Sequence, residues 1–360
     1  MATLPKMTKI LSVVGARPQF VKLAPIAEAF RDTGVVHSTV HTGQHYDHEM
    51  SAVFFEELGI GEPEWNLGVG SGSHGSQTGA MLSSLDSLFA QEKPDWVLVY
   101  GDTNSTIAAA LAAVKLHFPV AHLEAGLRSF NRKMPEEHNR VLTDHASDLL
   151  LAPTQNAADQ LNREGLGDRT VVVGDVMIDV LLDVERSLPH NARPLPESIS
   201  VGEEYVLATI HRAENTDDPD RLRLVIGSLA ALPVPVILPV HPRLRGRSTA
   251  ASISLGQGSL IPVDPLSYRQ MVAAVKSSRS VITDSGGLQK EAVVLGVPVT
   301  TLRTETEWVE TLTDGWNVLA PNLENLSELA MRLKPGPFKG APYGTGNAAQ
   351  AVVEALTQGA

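Results

Sequence analysis

The sequence predicts two doubly wound α/β domains with parallel sheets, and three observations predict it. Short apolar runs rich in β-branched residues alternate with longer amphipathic runs along nearly the whole chain, the pattern of strand–helix–strand units. The polar clusters able to do chemistry fall directly after the apolar runs, where an open α/β sheet places its ligands. The alternation lapses once, in "PHNARPLPESISVGE", a Pro- and Ser-rich stretch that reads as a linker or exposed loop. A chain of 360 residues suits two domains.

In the first half, "KILSVVG", "VVHSTVH", "WVLVYG", "DLLLAP" and "TVVVG" read as buried parallel strands. "PQFVKLAPIAEAFRDTG" reads as a helix closed by Gly34, and "SAVFFEELG", "NSTIAAALAAVKLH" and "EEHNRVLTDHA" as further helices. The pattern weakens after "GDVMIDVLLDVERSL" and restarts with the strands "YVLATIH", "VPVILPVH", "SLIPVD", "SVITDSG" and "VPVTTLR". The expected division is residues 1–176, residues 177–345 and a last helix, 346–360, packing back on the first domain, with a join near Asp175 to Pro196. Two such domains facing each other would leave a cleft, with the motifs at strand ends along it.

Composition narrows the function. Hydrophobic residues make up 43%, enough for sizeable cores, while 5% aromatics leave little for stacking nucleic-acid bases. Lys+Arg 29 against Asp+Glu 41 gives a net charge of −12 with no basic runs, a poor match to nucleic acid or an anionic membrane. The absence of cysteine removes disulfides, thiolate metal sites and a cysteine nucleophile. The start, "MATLPKMTKILSVVGARP", reads as a first strand rather than a signal peptide, and no run reaches the roughly 18 apolar residues of a membrane helix. The expected setting is cytoplasmic and the expected partner a small molecule.

The motifs follow strands. "VITDSGGLQKEA" ends a β-branched run with Ser285, Gly286 and Gly287 at a helix start, where backbone N–H groups favour an anion; Glu291 follows about one and a half turns on. "GARPQFVK" sets Arg17 and Lys22 at another helix start, either as an anion site or as solvated cations. "GDTNST" places Asp102 at a strand end, with Asn104 or Ser105 able to cap the following helix in its stead. "HLEAGLRS" carries His122, Glu124 and Arg128, of which Glu124 and Arg128 would make a plain ion pair. "MPEEHNR" offers Glu136 and Glu137 in a first helical turn after Pro135. Asp102, Glu124 and Glu136 would thus be three carboxylates on neighbouring loops, and crowded carboxylates push their pKa values apart, as acid/base chemistry needs. "ATIHRAEN" and "ILPVHPR" each place a His/Arg pair after a strand: His211 with Arg212, and His241 with Arg243. "HTGQHYDH" lacks helical metal-ligand spacing and reads as a polar loop, "LGVGSGSHGSQTG" as a mobile Gly/Ser loop, and there is neither a G-x-G-x-x-G after the first strand nor a P-loop. No metal or organic cofactor is expected.

Eight motifs, "GARPQFVKLAPI", "HTGQHYD", "GDTNST", "HLEAGLRS", "PEEHNR", "HRAEN", "HPR" and "SGGLQKEA", stand in the same order as in the non-hydrolysing UDP-N-acetylglucosamine 2-epimerases, which the chain resembles from about Lys9 to about Leu356. The resemblance implies two Rossmann-like domains of the glycosyltransferase-B type and a homodimer. It also implies interconversion of UDP-GlcNAc and UDP-ManNAc by elimination and re-addition of UDP through 2-acetamidoglucal. It assigns Asp102, Glu124 and Glu136 as acid/base carboxylates in the first domain, His211 to the departure of UDP, and Lys22 and Arg17 to the phosphates and sugar. His241, Ser285, Gly286, Gly287 and Glu291 would bind the nucleotide in the second domain, with Arg128 and Arg212 as further substrate contacts. Gln44 and His45 match a site where some bacterial members bind UDP-GlcNAc as activator, although an arginine those members use is absent from "NLGVGSGSHG". "HRAEN" has Ala213 where many relatives have arginine. A hydrolysing epimerase releasing ManNAc and UDP, or a glycosyltransferase, would share much of this pattern.

Overall fold

A computed structural model describes residues 8–31, 33–44, 60–189 and 204–358, without the side chains of Arg17 and Gln358. The chain divides into two compact units, residues 1–180 with 341–360, and residues 181–340. The division at Val180 falls inside a helix, Val176–Ser187. Most of the Pro- and Ser-rich stretch, the helix read in "SAVFFEELG" and His45 lie outside the described residues.

The first unit holds β1 (Lys9–Val14), β2 (Val36–His41), β3 (Trp65–Asn66), β4 (Trp96–Tyr100), β5 (Val120–Leu123), β6 (Leu149–Ala152) and β7 (Thr170–Val172). They form one sheet in the order β3-β2-β1-β4-β5-β6-β7, with every pairing parallel. Its helices are α1 (Arg17–Phe30), α2 (His74–Glu92), α3 (Asn104–Lys115), α4 (Pro135–Ala146), α5 (Gln155–Arg163) and α6 (Val176–Ser187). The second unit holds β8 (Val206–Thr209), β9 (Val236–Pro239), β10 (Leu260–Val263), β11 (Ser280–Thr283), β12 (Val299–Thr301) and β13 (Asn317–Leu319), also all parallel, in the order β10-β9-β8-β11-β12-β13. Its helices are α7 (Ala213–Thr216), α8 (Pro219–Ala230), α9 (Pro242–Ala250), α10 (Tyr268–Ser277), α11 (Gly286–Val294) and α12 (Leu326–Met331). A last helix, α13 (Ala348–Gln358), belongs to the first unit.

Strand alternation builds the cores, because successive side chains of a strand point to opposite faces. Ile10, Val14, Leu98 and Tyr100 face one side with α1 and α13, while Leu11, Val13, Val97 and Val99 face the other with α2 and α3. The second sheet is covered on both faces in the same way. In each unit strand order reverses between the first strand and its later neighbour, β1 beside β4 and β8 beside β11. Those reversals are where an open α/β sheet binds its ligand.

Several elements differ from the sequence reading. β7 is not buried: Val171 and Val172 are exposed because the strand is the sheet's edge. Short β3 and β13 carry too few residues to show a pattern. The supposed Gly/Ser loop becomes α2 from His74 onward, with Ser73 accepting a bond from the Ser76 N–H and Gly75 and Gly79 inside the helix. The first helix ends at Phe30, four residues before Gly34. α3 is capped by Thr103, whose hydroxyl accepts from the Thr106 N–H, rather than by Asn104 or Ser105. No described helix is long and apolar enough to cross a membrane.

Candidate active site

In the first unit, strand ends at the reversal bring cations and carboxylates together. The turn after β1 is locked by Gln19, whose Oε1 accepts from the Gly15 and Ala16 N–H groups at 2.8 and 3.0 Å. Gln19 Nε2 reaches across to donate to the Tyr100 carbonyl at the end of β4, 2.7 Å away. Lys22, on the second turn of α1, forms an ion pair with Glu124, just beyond β5. Glu124 sits at φ +73°, a left-handed conformation that a non-glycine residue adopts at a cost of order 1–3 kcal/mol. Gly101 makes room for the pair, since a Cβ there would lie 3.2 Å from Glu124 Oε2 and 3.4 Å from Lys22 Nζ.

Asp102, next in the chain, pairs with Arg140 of α4. Arg140 also donates to Glu137 at 2.9 Å, and Glu137 accepts from the Ser129 and Phe130 N–H groups at 2.9 Å each, pinning the preceding loop. Glu136 stands exposed in the first turn of the same helix. Burial pushes the Asp102 carboxyl above the ordinary range; Arg140 and Lys22 pull it down, Glu124 and Glu136 push it up, and the balance is upward. Burial alone would lower Lys22, but Glu124, Asp102 and Asp175 outweigh it and hold the ammonium charged. The result is a carboxyl able to gain and lose a proton beside a fixed cation, as a general acid/base requires.

Arg128 does not join this group. It is buried in ion pairs with Asp144 at 2.7 Å and Glu164 at 2.8 Å, and its Nη1 also donates to the Leu127 carbonyl. The Glu124–Arg128 pair suggested by their spacing gives way to Lys22–Glu124, with Arg128 on Asp144 and Glu164. His122 is structural as well: its two ring nitrogens face Asp144 Oδ1 and the Gly101 carbonyl, each at 2.7 Å. Gln44 lends its Oε1 to the Ser105 N–H and hydroxyl at 3.1 and 2.7 Å, at the start of α3. Arg17 opens α1.

In the second unit, a cavity of ≈ 310 Å³ opens at the ends of β8, β9 and β11. His211, His241, Ser285, Gly287 and Glu291 all line it, with Thr209 and Met271 among its walls. Asp284, fully buried, anchors the rim: its carboxylate accepts from the His211 and Arg212 N–H groups at 3.1 and 3.0 Å and from Asn215 Nδ2 at 3.2 Å. His211 Nδ1 lies 3.3 Å from the same carboxylate. His241 Nδ1 instead accepts from the Arg243 N–H at 3.1 Å, capping α9. The two rings stand 5.3 Å apart. Burial lowers both histidines' pKa values, and for His211 it prevails over Asp284, so both are neutral at neutral pH.

Gly286 and Gly287 have separate reasons. A Cβ on Gly286 would lie 2.5 Å from Glu307 Oε1, whereas one on Gly287 would meet open space at the cavity wall. Ser285 precedes α11 without a capping bond from its hydroxyl, so the first N–H groups of the helix are left to other acceptors. Glu291 Oε1 accepts from the Tyr268 hydroxyl at 3.2 Å.

The sequence reading missed Arg140, Asp144, Asp284, Arg303 and Glu307. Arg140 had a signal, three residues after Glu137 on a helix and hence on the same face. Asp284 stood inside a motif already singled out. Arg303 and Glu307 lie in "LRTETE", where nothing local separates them from surface charges.

Comparison with known proteins supplies the family. The model of the UDP-N-acetylglucosamine 2-epimerase family matches residues 28–357. A UDP-N-acetylglucosamine 2-epimerase homolog of Methanococcus maripaludis is 45% identical, covering 97% of this chain and 99% of that protein. The UDP-2,3-diacetamido-2,3-dideoxy-D-glucuronate 2-epimerase of Pseudomonas aeruginosa is 44% identical, covering 97% and 99%. The crystal structure of Methanocaldococcus jannaschii UDP-GlcNAc 2-epimerase in complex with UDP-GlcNAc and UDP superimposes with a TM-score of 0.87 at 39% identity, over 98% of this chain and 100% of that one. Two parallel α/β units, each with polar groups at its strand reversal, define the class as a nucleotide-sugar enzyme with the fold read from the sequence. The chain belongs to the UDP-N-acetylglucosamine 2-epimerase family.

Proposed function

We propose that the protein interconverts UDP-GlcNAc and UDP-ManNAc at C2 without hydrolysis, by anti-elimination of UDP and its re-addition to 2-acetamidoglucal. Inverting a carbon through loss and return of its proton needs a group on each face of the sugar. One carboxylate cannot serve both faces, and the first unit carries Asp102 and Glu124 on separate loops with Glu136 nearby. The observation that carries the proposal is the placement of the buried Asp102 carboxyl, paired with Arg140 and raised above its ordinary range by burial, next to the Lys22–Glu124 pair. Lys22 keeps Glu124 oriented, and Arg140 opposes the protonation that burial favours on Asp102. Asp102, Glu124, Glu136, Lys22 and His211 are the proposed catalytic residues. The cavity of the second unit would hold UDP, with the phosphates on the N–H groups of Ser285, Gly286 and Gly287, Glu291 on the ribose, and neutral His211 and Arg212 beside the leaving oxygen. We propose further that it works as a homodimer in the cytoplasm.

Incubation with UDP-GlcNAc in deuterated water, followed by NMR of the anomeric proton, tests the chemistry. The expected outcome is UDP-ManNAc carrying deuterium at C2. Free ManNAc accumulating without UDP-ManNAc would make it a hydrolysing enzyme, and no exchange without an acceptor sugar would favour a transferase.

A second reading keeps the chemistry and changes the sugar. The Pseudomonas aeruginosa enzyme is 44% identical, against 40% for the UDP-N-acetylglucosamine 2-epimerases of Methanococcus maripaludis and Methanocaldococcus jannaschii, which favours a UDP-2,3-diacetamido-2,3-dideoxy-D-glucuronate substrate as a competing choice. Comparing kcat/KM for the two nucleotide sugars decides between them.

A further inference from the structure

Behind the start of α11 the second unit buries a charge cluster that the proposed reaction does not yet use. Arg303, beyond β12, has a side chain with no exposure. Its Nη1 donates to Glu307 Oε2 at 2.9 Å, while its Nε and Nη2 make no hydrogen bond among the described residues. Burying an arginine so sparsely satisfied is costly unless its charge is used. Glu307 faces two ways. Its Oε1 occupies the space a side chain on Gly286 would take, and the same oxygen lies 3.8 Å from Arg212 Nη2. Arg212 follows His211, which lines the cavity, and the Arg212 backbone is tied down by Asp284.

A carboxylate this near an anion site would repel a diphosphate if it stood alone. Arg303 offsets it, so the pair is nearly neutral and the charge of Arg212 remains available. Burial would raise the Glu307 pKa, but Arg303 and Arg212 together bring it below the ordinary range, so the carboxylate stays ionised. The Arg212–Glu307 contact is the longer of the two, so Arg212 is steered rather than held fast.

We propose that Glu307, anchored by the buried Arg303, is a positioning residue that aims Arg212 at the diphosphate of the nucleotide sugar and so retains UDP between its departure and its return. This rests on the reading of the second unit's cavity as the UDP site. Arg212 is the group that would touch the phosphates; Glu307 acts through it. A purely structural ion pair would stabilise the fold without being coupled to Arg212 in nucleotide binding.

The test is a double-mutant cycle on the full chain, with UDP affinity measured by titration calorimetry for wild type, Arg212→Ala, Glu307→Gln and the double variant. Each single change is expected to raise the Kd for UDP about tenfold, the scale of one charge-assisted contact. The double variant should be no weaker than Arg212→Ala, because Glu307 has nothing left to aim. If the two losses multiply, or if Glu307→Gln leaves the Kd unchanged, the proposal is overturned while the UDP site stands. If wild type does not bind UDP, the reading of the cavity falls and the proposal with it. Should Glu307→Gln fail to fold, Glu307→Asp takes its place in the cycle, since it keeps the charge facing Arg303 and shortens the reach to Arg212.

Discussion

Asp102 carries opposed influences within a few ångströms, and its chemistry depends on their balance. If it is the base, Asp102→Asn should reduce C2 exchange by several orders of magnitude while UDP affinity stays within about twofold, since its partners lie in the first unit. Arg140→Met removes a cation that favours the ionised form, so the Asp102 pKa should rise further. The acid limb of the kcat/KM profile should then move to higher pH; an unmoved limb would assign the ionisation to another group. Asp144 has the opposite sign. Burial would raise it, but His122 and Arg128 take its folded pKa below the ordinary carboxylate range. Its contribution to stability is therefore full above that range and lost as pH falls through the depressed value. Asp144→Asn should cost about 3–5 kcal/mol at neutral pH, by thermal or urea unfolding, and the gap to wild type should narrow in strong acid.

At the level of elements, the start of α11 shows how one motif serves two ends. Gly286→Ala pushes a methyl group against Glu307, so it should lower the melting temperature as well as UDP affinity. Gly287→Ala meets no protein atom, so it should leave the melting temperature nearly unchanged and weaken UDP binding by occupying the cavity wall. Equal effects from the two changes would contradict the separate reasons given for them. The strands of five or six residues were legible because a strand buried on both faces is a β-branched run with sharp ends. β3, β13 and the onset of α2 were not. β3 and β13 each include an asparagine in a very short run, so no apolar β-branched stretch marks them, and the glycines before α2 read as breakers until Ser73 supplied a cap.

For the whole molecule, the last helix is the informative part. α13 returns to the first unit, where Ala348, Val352, Val353 and Leu356 share a core with Phe20, Leu23, Ile26 and Phe30 of α1. Asp179 secures its start by accepting from the Ala348 and Ala349 N–H groups at 3.1 and 2.8 Å. The second unit, in contrast, is continuous in sequence and has its own two cores. Val352→Asp buries a charge against α1 and should unfold or loosen the first unit, abolishing epimerisation. UDP binding by the second unit should persist, as calorimetry on the variant would register.

The sequence by itself determined the two α/β repeats, the strand ends that carry polar motifs, and a family resemblance strong enough to suggest a reaction. Each of these is written locally, in hydrophobic period and in residues a few positions apart. What only the tertiary structure decided is which charges meet. Lys22 pairs with Glu124 across 102 positions, Arg140 with Asp102 across 38, and Asp284 anchors His211 across 73. Arg128, expected among the substrate contacts, pairs with Asp144 and Glu164. Ion pairs follow from distance and burial, and parallel strands joined by helices bring together residues that no local pattern relates.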